Sequence, residues 1–214
     1  MNFFAHLVVA RRVERDPAFL LGAMLPDFAT MSGARLAATA HPVLGAGIAE
    51  HHRTDDAFHA TPTFIALASD MGTRLDAAGL PWGAARAIAH VGTELFLDGE
   101  LTEDEPSAGD YVRAIASAAH DEIASAIRFR EEEGHGRFRR MHARLATHGP
   151  PHRYREPEFV QEVLVRILAG RPRLSVPDEH HASLLVELYA LRDRVHRARE
   201  ALVGETLDAL GRAR

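Results

Sequence analysis

The sequence contains no cysteine and no lysine. The first absence excludes disulfides, thiolate metal sites, iron–sulfur clusters and a cysteine nucleophile. The second excludes Schiff-base catalysis and a P-loop lysine, and makes all 25 basic residues arginine. Asparagine occurs once, at Asn2, so no N-glycosylation acceptor exists. No apolar run approaches the roughly 18 residues that a membrane helix needs. The first ten residues carry His6 and run straight into Arg11-Arg12, unlike a signal peptide, so a cytoplasmic location is the simplest expectation. The net charge of −5 argues against general nucleic-acid binding, which rests on excess positive charge. What remains for chemistry is His, Asp, Glu, Arg, Ser and Thr, and the 14 histidines dominate that set.

The chain of 214 residues, 46% hydrophobic, is long enough to bury a substantial core in one domain. No alternating pattern extends beyond a few residues, and nearly every segment reads as helix; the expected fold is all-α, a single-domain helical bundle over 1–214. Asp16-Pro17 supplies an N-cap followed by proline at the first helical position, and Pro26-Asp27 is expected to stop that helix. Residues 28–41 read as a loop with a helical turn. His41-Pro42 opens a long helix that ends near Ala60-Thr61-Pro62. Further helices are expected over 63–79 and 82–98. Another is expected from Tyr111 to Glu133, with Ser107 or Asp110 as its cap, and another after Gly136 to about Ala146. The last two run over 156–169, stopped by Gly170, and from Asp178 to Leu210.

The chemistry concentrates in two stretches. On a helix, His51, Asp55 and His59 stand at i, i+4 and i+8 along one face, with adjacent rungs roughly 5–6 Å apart at Cβ. His90 and Glu94 repeat the spacing, and His6 and Asp27 lie beside apolar runs. Imidazole and carboxylate together suit divalent manganese, zinc or iron, and two such helices facing each other would enclose one or two ions. The candidate ligands are therefore His6, Asp27, His51, Asp55, His59, His90 and Glu94, with His41 and Asp98 left open. A structural ion in a non-catalytic helical binding module is the competing reading. His120, His142, His196 and the pair His180-His181 read as ordinary core or surface histidines.

The opening Met1-Asn-Phe-Phe-Ala-His-Leu7, the segment Leu21-Gly-Ala-Met-Leu-Pro-Asp-Phe28, and Gly47-Ile48 followed by His51, Arg53, Asp55 and Pro62 resemble the acyl carrier protein phosphodiesterase family. Glu158-Phe-Val-Gln-Glu-Val-Leu164 and Gly170-Arg-Pro-Arg-Leu174 resemble that family's C-terminal stretch. The resemblance implies an HD-domain-like, all-helical, metal-dependent enzyme, with manganese usual, that cleaves 4′-phosphopantetheine from the serine of holo-acyl carrier protein. By position it points at His6, Asp27, His51, Arg53 and Asp55. The chain departs from the family at His59, where an aspartate is usual. It departs again at Glu94-Leu95, where an Asp-His pair is usual, with His90 one turn earlier.

The ligand order His6, Asp27, His51-x3-Asp55, His59, His90-x3-Glu94 also resembles the zinc-dependent phospholipases C and related single-strand nucleases. Both resemblances imply a phosphodiester hydrolase. In such chemistry Asp55 or Asp27 serves as bridging ligand or general base, and Arg53 clamps a phosphate oxygen, unless it merely pairs with Glu50 or Asp56. Acyl carrier protein is acidic, so a partner surface should be basic; Arg137, Arg139, Arg140, Arg144, Arg153 and Arg155 form the concentrated candidate. A small phosphodiester is the alternative substrate.

Overall fold

The structure, a computed structural model, describes residues 1–171 and 173–212. The fold is all-α, with ten α-helices, two short 3₁₀ turns and no strand among the described residues. Two compact units share the chain: Met1–Asp56 with Leu101–Pro151, and Ala57–Glu100 with His152–Arg214. Among the described residues no helix is long and apolar enough to cross a membrane.

The first unit is built on α1 (Phe3–Ala10), α2 (Pro17–Met31) and the greater part of α3 (Pro42–His59). Every residue of α1 is buried, as a helix apolar at every position but His6 requires. Its Phe3 packs tilted against Phe28 at 5.3 Å between ring centroids, and its Phe4 meets Tyr111 at 5.8 Å. Asp16 caps α2 as its sequence indicates, accepting from the Ala18 and Phe19 amides. Pro26 does not stop this helix but lies inside it. The missing backbone bond costs about 3 kcal/mol. Burial of Phe28 and Ala29 beyond it, at about 1.5–3 kcal/mol for a large side chain, offsets that cost and carries α2 on to Met31.

The helix expected over 111–133 is divided. Asp104, rather than Ser107 or Asp110, caps α6 (Glu105–Ser117) by accepting from the Ser107 amide at 3.1 Å. A short α7 (Asp121–Ala126) follows, and α8 (Gly134–His148) begins at Gly134. Between them residues 128–130 are extended: Ala37 N–H donates to Arg128 O at 2.8 Å and Arg130 N–H to Arg35 O at 2.9 Å. Glu131 then accepts from both the amide and the guanidinium of Arg35. These long-range bonds satisfy the backbone that a continuous helix would otherwise have used.

Helices α2 and α3 cross without side chains between them. A Cβ on Gly47 would stand 2.1 Å from Phe19 O, and one on Gly22 would stand 2.4 Å from Leu44 O. This contact brings α3 against the stretch of α2 that carries Ala23 and Asp27. Gly47→Ala is accordingly expected to destabilise the protein by about 1–3 kcal/mol. Gly45→Ala on the same helix meets only ordinary contact and should gain up to about 1 kcal/mol from helix propensity. Thermal melts of the two variants check this; equal melting temperatures would reject the tight crossing.

The second unit holds α4 (Pro62–Ala77), most of α5 (Trp82–Leu101), α9 (Pro157–Ala169) and α10 (His181–Arg212). Leu184, Leu188, Leu191, Val195 and Leu202 form the buried stripe of α10, spaced at helical period. Gly170 ends α9 in the right-handed region rather than the left-handed one expected of a C′ glycine. Thr61 caps α4, and the Thr63 amide and hydroxyl both donate to Glu205. Glu100 is buried and accepts from His196 Nδ1 at 2.5 Å, with Arg155 and Arg192 close by.

Candidate functional site

In the first unit three helices deliver titratable side chains to one place. His6 comes from α1, Asp27 from α2, and His51 and Asp55 from one face of α3. His6 Nε2 lies 3.6 Å from Asp55 Oδ1 and 4.0 Å from Asp27 Oδ2. The His6 and His51 rings stack at 3.8 Å. His6, Asp27 and His51 each offer a ligand atom within 4.8 Å of the others. His6 and His51 are buried, whereas Asp27 and Asp55 are partly exposed.

The surroundings fix how these groups present themselves. His51 Nδ1 lies 2.9 Å from the Ala23 carbonyl, which only accepts, so the proton sits on Nδ1 and Nε2 keeps its lone pair. Burial, reinforced by the neighbouring His6, pushes the His51 pKa down to about 3. His51 is therefore neutral at physiological pH, the form that ligates metal. His6 Nε2 approaches Met1 O at 3.1 Å, and the Met1 ammonium donates to Asp55 Oδ1 at 2.7 Å. His6, Asp27 and His51 are a group that could hold a divalent transition cation, with Asp55 beside it.

The ladder on α3 is shared between the units, because the boundary falls after Asp56. Its last rung, His59, belongs with His90 and Glu94 of α5 in the second unit. Glu94 Oε1 lies 3.0 Å from His59 Nε2 and 3.1 Å from His90 Nε2, and the two imidazoles stack at 4.7 Å. Burial raises the Glu94 pKa, but the two imidazole bonds outweigh it and hold the carboxyl well below its usual range. These three residues also offer ligand atoms within 4.8 Å of one another. The seven candidate ligands thus form two groups, one in each unit.

The acyl carrier protein phosphodiesterase family matches the chain over residues 1–201. The chain belongs to that family. No curated protein and no solved structure matches it. The acyl carrier protein phosphodiesterase match takes in both groups of residues and most of α10. Of its C-terminal stretch Gly170-Arg-Pro-Arg-Leu174, Pro172 lies outside the described residues.

Other residues marked in the sequence have local roles. Arg53 Nη1 donates to Glu50 at 2.7 Å, and its side chain is exposed. His41 accepts from the Leu44 amide at 3.2 Å and so caps α3. Asp98 is fully buried. His142 bonds the Ile115 carbonyl at 2.8 Å, in keeping with a structural histidine. Three features had no signal in residue spacing: the Ala23 carbonyl, the Met1 ammonium, and the rings of Phe58 and Phe64 beside His59 and His90. A backbone carbonyl is invisible in a sequence pattern, and a phenylalanine on a helix reads there only as an apolar residue.

Proposed function

We propose that this protein is a metal-dependent phosphodiester hydrolase that releases 4′-phosphopantetheine from the serine of holo-acyl carrier protein. The observation that carries the reading is the convergence of His6, Asp27, His51 and Asp55 in a chain whose family is described as acyl carrier protein phosphodiesterase. His6, His51 and the two carboxylates would hold a manganese, zinc or iron ion. When bound, such an ion lowers the pKa of a water and polarises the phosphoryl oxygens.

The protein's own groups account for the remaining steps. Asp27 and Asp55 are the carboxylates in reach of the attacking water's proton. The P–O bond to the serine oxygen breaks, yielding 4′-phosphopantetheine and a serine hydroxyl on the carrier. Arg53, tethered by Glu50 through one nitrogen, keeps its other nitrogens for a non-bridging phosphate oxygen. His51, its Nδ1–H held by the Ala23 carbonyl, keeps its ring in place with Nε2 unprotonated.

An acidic carrier requires a basic landing surface, and α8 supplies one in the first unit. Arg137, Arg140 and Arg144, with Met31, Ser32 and Met141, line a recess of about 460 Å³. Arg137 is tied to Glu133 and to the Gly33 carbonyl. Arg140 and Arg144 are exposed and make no ion pair among the described residues. Arg153 and Arg155 belong to the second unit, where Arg153 stacks over Phe159 at 3.9 Å and Arg155 faces Glu100. The charge-reversed pair Arg140→Glu with Arg144→Glu is expected to slow holo-acyl carrier protein turnover roughly tenfold at low salt, through association. Cleavage of a small phosphodiester should be untouched. A wild-type protein that cleaves the small diester but never releases 4′-phosphopantetheine from the carrier would reject this substrate and favour phospholipid or nucleotide diesters.

A further inference from the structure

The second unit carries a donor cluster that the proposed hydrolysis does not use. His90 and Glu94 stand one turn apart on α5, and His59 closes the set from the end of α3. Both imidazole Nε2 atoms converge on the same carboxylate oxygen, Glu94 Oε1, at 3.0 and 3.1 Å. With metal–donor bonds of about 2.0–2.2 Å, the donors around one four- to six-coordinate ion lie roughly 3.0–3.4 Å apart. The two observed spacings fall in that range, which hydrogen bonds share, and all three donor atoms lie within 4.8 Å of one another.

The walls of the cluster support the same reading. Phe64 stands edge-on to both imidazoles, 5.1 Å from His59 and 5.1 Å from His90, and it packs on Phe58 at 4.6 Å. These rings restrict the two imidazoles to a narrow range of orientations. An apolar wall around nitrogen and oxygen donors raises their effective attraction for a cation. Glu94 is 11% exposed at its side chain, while His59 and His90 are 30% and 45% exposed, so solvent reaches both histidine side chains.

We propose that His59, His90 and Glu94 bind a transition-metal ion through two imidazole nitrogens and one carboxylate oxygen, leaving a position open for water or a ligand. Two nitrogen donors favour zinc, cobalt, nickel, copper or iron over calcium and magnesium, which take oxygen donors. A three-ligand set with an open position is the arrangement of exchangeable and catalytic sites rather than closed structural ones. The alternative is a plain hydrogen-bonded triad in which two N–H groups donate to one oxygen, and it requires no metal.

The test uses the full chain, stripped with a chelator and titrated separately with Zn²⁺ and Co²⁺. Elemental analysis and calorimetry of the wild type are expected to show roughly one equivalent more than the double variant His59→Ala with His90→Ala takes up. Part of the Zn²⁺-induced rise in melting temperature should disappear with it. The variant Glu94→Gln should weaken the same equivalent. Should the double variant fold poorly, ¹⁵N spectra of the wild-type imidazoles give the answer directly: Zn²⁺ is expected to move the His59 and His90 Nε2 signals. Unchanged stoichiometry in the double variant, or unmoved signals in the wild type, would overturn the site. The variant His51→Ala probes the other group, so failure here leaves the phosphodiesterase reading standing.

Discussion

Asp55→Ala is expected to lower turnover of bis-p-nitrophenyl phosphate by on the order of 10²–10⁴-fold, the usual span for losing a group that handles a proton or holds the reacting centre. The side chain is 37% exposed, so its removal leaves no large cavity, and circular dichroism should report unchanged helix content. Its neighbours explain the size of the effect. Asp55 faces His6 at 3.6 Å and shares a helical face with His51, so its loss removes negative charge from the middle of the cluster. His51→Ala should be equally damaging, because that imidazole stacks on His6 and is anchored to Ala23. Asp56→Ala is the control: it is adjacent in sequence but exposed, and its rate should stay within about twofold of wild type, as for surface changes away from a site. If Asp55→Ala and His51→Ala both keep wild-type rates, the first-unit cluster is not where the diester is cleaved.

Much of this arrangement was legible before any coordinates. The dipeptides Asp16-Pro17 and His41-Pro42 and the stop Ala60-Thr61-Pro62 mark the helix ends they should, because capping chemistry is local and depends on few neighbours. The i, i+4 spacing of His51 with Asp55 and of His90 with Glu94 is likewise a property of a single helix. Where the reading failed, a distant partner decided. Pro26 sits mid-helix because burial of Phe28 and Ala29 beyond it offsets one lost bond. The run from Tyr111 to Glu133 breaks because residues 128–130 pair with residues 35–37. The division of the ladder between two units depends on which helices meet, and no spacing within α3 encodes that.

Asp110→Asn is expected to cost about 3 kcal/mol of stability, because it takes the buried carboxylate from the nearly buried Arg11 and leaves it only the longer contact to the half-exposed Asp104 at 3.5 Å. Asp110 has a fully buried side chain at the centre of an arginine cluster. Arg11 Nε donates to it at 2.7 Å, Arg15 Nη2 at 3.2 Å, and Arg113 through its other oxygen. Burial alone would raise the carboxyl pKa, but the bonds from Arg11 and Arg15 outweigh it and lower the pKa below 3.8. A carboxylate with a depressed folded-state pKa stabilises fully above its unfolded pKa, and the contribution is lost as pH falls through the folded one. Acid unfolding of the wild type should therefore extend below pH 3.8, whereas the variant lacks that dependence. At neutral pH the melting temperature should drop by roughly 10 °C for a chain of this length. The apolar pair Arg11→Met with Asp110→Leu should recover a large part of the loss, since Arg11 is only 11% exposed while Arg15 and Arg113 remain solvated. A neutral-pH melt of Asp110→Asn within 2 °C of wild type, about one kcal/mol or less, would show that the cluster contributes nothing beyond surface ion pairs.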